Sequence, residues 1–155
     1  IANLTYLLIA FVIAVALAPL SHFVPSKKQR EIARMREYAA VRGMFVEFRR
    51  VPGRDSSAPA GRERASQDTI YYGKRLPPAK AKREAALIWL LEADGWVGLE
   101  RRHVVPAPLL SLAVPVLAAS VDEGSCGVYW RESGGVEAVE LIRQVLESWA
   151  DQLRQ

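Results

Sequence analysis

From Ile1 to Leu20 the chain carries no charged side chain: IANLTYLLIAFVIAVALAPL. Leu, Ile, Val, Phe and Ala dominate this run. At the rise of an α-helix it reaches roughly 30 Å, the thickness of a bilayer's hydrocarbon core. Pro19 lies near its end, where a missing backbone donor disturbs a helix least. The run therefore reads as a transmembrane anchor over residues 1–20. The small residues Ala14, Ala16 and Ala18 also fit a signal-peptide cleavage site, but a secretory signal places positive charge before its apolar run. Here the charge comes after it.

Lys27, Lys28, Arg30, Arg34 and Arg36 follow within a few residues. Short basic flanks remain on the cytoplasmic side of a membrane. The expected topology is single-pass, with the N-terminus outside and everything from about residue 21 in the cytoplasm. The single cysteine, Cys126, suits a reducing compartment. The formal net charge of +4 lies wholly outside the apolar run, and it is too mild to suggest a nucleic-acid partner.

Ser26 and Gln29 have the spacing of a capping box, Ile32, Met35 and Ala39 recur at helical spacing, and Gly43 is a natural stop. The spacing predicts a basic amphipathic juxtamembrane helix within 21–43. Lys27, Lys28, Arg30 and Arg34 are its candidate membrane-surface contacts, each adding attraction to anionic lipid head groups.

From residue 44 a cytoplasmic α+β domain is expected, extending to 155. Met44, Val46 and Phe48 alternate as in a half-buried strand. Residues 52–68, rich in Pro, Gly, Ser and charge, read as a mobile loop. A β-type stretch resumes at Thr69 and ends at Leu76-Pro77-Pro78. Residues 79–92 suit helix or strand, yet Ala93-Asp94-Gly95 between ALIWLLE and WVGLERRH favours a hairpin. The second uncharged run, 104–121, holds Pro106, Pro108 and Pro115, which argue against a second span. A short helix near 108–113 and a buried strand near 115–121 fit better. A strand over 127–131 comes next. Beyond Gly134-Gly135, Val139, Ile142, Val145, Leu146, Trp149 and Leu153 share one face of a core-packing helix. The fold class is α+β: a small, mainly antiparallel sheet with a C-terminal packing helix.

Chemistry is sparse. His22, His103 and Cys126 offer no metal-ligand spacing, and the glycines match neither a P-loop nor a dinucleotide fingerprint. An enzyme is not expected, nor any cofactor or small-molecule substrate; a pocket uniting His103 with Cys126 or paired carboxylates would revive one. Neighbours in a strand point to opposite faces, so one of Tyr129 and Trp130 is expected to leave the core. With Trp96 they form the candidate partner interface.

The span followed by Pro25, Lys28, Arg30, Met35 and Gly43 resembles the opening of YajC-type accessory proteins of the preprotein translocase, and also uncharacterised single-pass proteobacterial membrane proteins. The likeness covers about the first 45 residues. It implies a bacterial inner-membrane location and an accessory role, with no binding residue attached. The tryptophan-bearing strands, polar loop and C-terminal helix have no counterpart in the YajC domain. The expected function is thus a non-enzymatic accessory or scaffold subunit of an integral membrane complex, for translocation or respiration. A peripheral module that binds anionic lipid is the alternative.

Overall fold

The computed structural model describes residues 1–53, 69–78, 86–100 and 103–155. The chain divides into two compact units, Ile1–Glu31 and Ile32–Gln155. In the first, α1 (Ala2–Leu17) continues into a 3-10 helix, Ala18–Phe23, where Pro19 removes a donor and the winding tightens. This combined helix, Ala2–Phe23, is long and apolar enough to cross a membrane, and none of its side chains is buried. Helix α2 (Lys27–Val41) begins at the capping box expected from its sequence spacing. The Ser26 N–H donates to Gln29 Oε1 at 2.9 Å, and the Gln29 N–H donates to Ser26 Oγ at 3.2 Å. It ends before Gly43, whose φ of 79° lies in the left-handed region that other residues enter only with strain.

The second unit is α+β. Its strands are β1 (Met44–Glu47), β2 (Ile70–Arg75), β3 (Leu87–Glu92), β4 (Gly95–Gly98), β5 (Ala118–Val121) and β6 (Ser125–Trp130). They form one sheet in the order β1-β2-β6-β5-β3-β4, with every neighbouring pair antiparallel. Among the described residues two further helices, α3 (Ala107–Leu110) and α4 (Gly135–Arg154), belong to it. β3 and β4 make the expected hairpin around Ala93-Asp94. Of residues 79–92, open between helix and strand, Leu87–Glu92 is strand β3, while 79–85 lie outside the described residues, as does most of the loop expected at 52–68. The proline-bearing run becomes the one-turn α3 and the fully buried β5.

Alternation divides the sheet's side chains between two layers. Ile70 and Tyr72 of β2, Cys126, Val128 and Trp130 of β6, and Trp89 of β3 join Met35 and Ala39 of α2 and Ile142, Leu146 and Trp149 of α4 in the main core. The indole of Trp149 meets that of Trp89 edge-on, with ring centroids 5.7 Å apart. On the other face, Tyr71, Tyr129, Ala118 and Val51 form a second, smaller cluster. Both Tyr129 and Trp130 are therefore buried, which corrects the expectation that one of them leaves the core. The alternation itself holds. What it could not reveal is that Phe45, Leu90 and Leu117 pack against the far face as well. Phe48 departs from the pattern too: β1 stops at Glu47, and the phenyl ring is 76 % exposed.

The far face depends on two missing side chains. Gly73 and Gly127 are cross-strand partners, and the Tyr71 ring lies over both. A Cβ at Gly127 would collide with that ring and with the Tyr72 carbonyl oxygen. Gly127→Ala should therefore lower stability by at least the ~1–3 kcal/mol typical of overpacking. Trp149→Ala, which opens a cavity in the main core, should lose about 3–5 kcal/mol. Thermal melts in detergent check both. An unchanged melting temperature for either variant would contradict the packing described.

Candidate functional site

Lys27, Lys28 and Arg30 belong to the first unit and are exposed. The Arg30 Nε–H donates to the Pro25 carbonyl at 3.2 Å, which holds its guanidinium back along the chain. Among the described residues, Lys27 and Lys28 make no ion pair. Arg34, in the second unit, is also exposed, whereas Met35 beside it is buried.

Arg36, the last member of that basic series, is committed elsewhere. Its Nε and Nη2 donate to the two carboxylate oxygens of Glu132 at 2.7 and 2.8 Å. The Tyr72 hydroxyl donates to Glu132 Oε1 at 2.8 Å. Glu132 has a φ of 50°, an uncommon backbone state for a residue with a side chain. This bend after β6 turns its carboxylate towards the sheet. The resulting bidentate clamp ties α2 to β2 and β6. Burial first, and the hydrogen bond to Glu132 second, raise the Tyr72 hydroxyl well above its ordinary pKa.

A second network runs along α4. Arg143 donates from Nε and Nη2 to Glu140 at 2.9 and 2.6 Å and pairs with Glu147 at 2.6 Å. Tyr38 of α2 donates to Glu140 at 2.6 Å, and Lys74 of β2 reaches Glu147 at 3.4 Å. The hydrogen bonds from Arg143, then Tyr38, pull the Glu140 carboxyl down to about 2.

On the far face of the sheet, the Arg49 guanidinium stacks 4.1 Å above the Tyr71 ring and pairs with Glu47 at 2.7 Å. The hydroxyls of Tyr71 and Ser125 share a hydrogen bond of 3.2 Å, and Ser120 donates to Tyr129 at 3.4 Å. Asp122 Oδ1 accepts from the backbone N–H groups of Gly124 and Ser125, which shapes the turn between β5 and β6. Here too the polar groups pair with one another, from the buried hydroxyls of Tyr71 and Ser125 to the partly exposed Arg49 and Asp122.

The candidate partner interface is not assembled. Tyr129 and Trp130 point to opposite layers. Trp96 lies on the edge strand β4, half-buried against the main core. The Glu132 clamp and the Arg49–Tyr71 stack were missed from sequence, because neither pairing leaves a short-range spacing to read. His103 meets Glu100 at 3.3 Å on the surface, while Cys126 is wholly buried beneath the Leu146 carbonyl. Among the described residues no group of three metal-ligating side chains gathers. A shallow hollow of about 170 Å³ lies between α3 and α4, lined by Ser111, Leu112, Ala113, Leu141 and Val145 among others.

No family model matches the chain, no curated protein matches its sequence, and no solved structure matches its fold.

The shifted groups predict how stability varies with pH. A carboxyl lowered on folding stabilises above its ordinary pKa, near 4.5, and loses that contribution as pH falls towards 2. A tyrosine raised on folding stabilises fully below about 10 and loses the contribution as pH rises beyond it. The melting temperature should therefore decline above pH 10, and Tyr72→Phe should flatten that alkaline decline. An equally steep decline in the variant would remove Tyr72 from the account.

Proposed function

We propose that this chain is a non-enzymatic, single-pass accessory subunit of a larger inner-membrane assembly. Its N-terminus faces outward, and its α+β unit works in the cytoplasm. One observation carries the reading. The Ala2–Phe23 helix buries no side chain, while the second unit closes its own core without it. A core helix would be covered on at least one face. Twenty-two residues without a charge need a solvent other than water. The exposed Lys27, Lys28 and Arg30 directly after the run support a cytoplasmic location for the second unit. The bidentate Arg36–Glu132 clamp and the Glu140–Arg143–Glu147 network support a structural role for that unit, and the likeness of the first 45 residues to YajC-type proteins supports accessory work.

The decisive experiment is gentle detergent extraction followed by identification of the co-purifying subunits. Phe11→Arg tests the anchor separately, since a charge at mid-span costs several kcal/mol, about 3 on insertion scales. The variant should leave the membrane fraction, and undiminished membrane recovery would refute the anchor.

A second reading, a peripheral module held by anionic lipid, is favoured by the unpaired state of Lys27 and Lys28 among the described residues. Molar salt decides between them, because it screens head-group attraction and leaves an inserted helix in place. We expect the wild-type chain to stay with the membrane pellet. Release into the supernatant would favour the peripheral module.

A further inference from the structure

We infer that residues 48–53 form a strap that opens from the far face of the sheet while the main core stays closed, and that Arg49 is its latch. Past β1 the chain leaves the sheet edge and crosses that face. Arg49 lies over Tyr71 of β2, Val51 is buried with Tyr71, Tyr129 and Ala118, and Gly53 reaches the side chains of Leu90 in β3 and Leu99 just beyond β4. Among the described residues, no backbone–backbone hydrogen bond joins 48–53 to the sheet. Pro52 has no N–H to offer, and Phe48 and Arg50 are exposed. Side chains therefore hold the strap: Val51 by apolar contact, and the Arg49 guanidinium, which stacks on Tyr71 at 4.1 Å, pairs with Glu47 at 2.7 Å and stands 3.8 Å from Asp122.

What lies beneath lowers the cost of opening. Tyr71, Tyr129, Ser120 and Ser125 are all buried, and their hydroxyls meet in pairs at 3.2 and 3.4 Å, long for bonds between hydroxyls. Wetting an apolar layer costs free energy in proportion to its area, whereas wetting hydroxyls returns hydrogen bonds to water. The main face lacks that route. Cys126, Val128 and Trp130 share their core with α2 and α4, and the Arg36–Glu132 clamp fixes α2 to the sheet. Segments with few buried apolar contacts and no ladder bonds open well below the free energy of global unfolding. Removing the guanidinium leaves Val51 as the strap's main hold on the face. Opening bares the far side of β2, β5 and β6, and gives the unit a second surface without loss of its core.

Cys126, fully buried in the main core, reports global opening. Ser120→Cys is nearly isosteric and places a second thiol beside Tyr129, under the strap. The full chain in detergent micelles is treated with a small maleimide, and peptide mass spectrometry follows each thiol. Each rate is divided by that of the same thiol in denaturant. We expect the thiol at 120 to react at least fivefold faster than Cys126; any smaller ratio would overturn the inference, by showing that the strap lifts only when the whole unit unfolds. Arg49→Gln should speed the reaction at 120 at least threefold further and leave Cys126 unchanged. Equal acceleration of both thiols, or of neither, would overturn the latch. If Ser120→Cys fails to fold, Ser125→Cys, beside the Tyr71 hydroxyl, gives the same two readings.

Discussion

The second unit is organised around the antiparallel pairing of β2 with β6, at the centre of which two glycines stand opposite each other. Their missing side chains let the Tyr71 ring lie flat on the sheet, and Arg49 then stacks on that ring. One face is thus sealed by a local stack of aromatic and guanidinium groups. The other face is left to α2 and α4. Among the described residues the six-stranded sheet has helices on one side and a small aromatic and aliphatic cluster on the other.

Charged residues serve that arrangement. Glu132, placed by an uncommon backbone turn, takes a bidentate arginine from α2 and a hydroxyl from β2. Glu140 and Glu147 gather Tyr38, Arg143 and Lys74 from three elements. Charge-assisted bonds of this kind are directional and fix the registry of helices over a sheet. Apolar packing alone leaves such registry loosely specified.

Local features were readable in advance. The capping box at Ser26, the stop at Gly43, the hairpin at Ala93-Asp94 and the apolar face of α4 each arise from neighbours within a few positions. The three prolines likewise marked 104–121 as too broken to span. Long-range pairings were hidden. Nothing near Tyr129 signals that Phe45 and Leu117 close over its face, and nothing near Arg36 signals a carboxylate 96 positions away. For that reason the aromatic interface lost two of its three expected members to the core.

The change of winding at Pro19 has a geometric consequence. A 3-10 helix rises about 2.0 Å per residue against about 1.5 Å for an α-helix. Ala2–Phe23 therefore extends roughly 36 Å, several ångströms beyond an average hydrocarbon layer. In a membrane-spanning placement, a helix of that length would set the imidazole of His22 and the ring of Phe23 at the depth that suits polar tips and aromatic rings. Such a helix would accommodate bilayers of different thickness by tilting, without drawing Lys27 into oil.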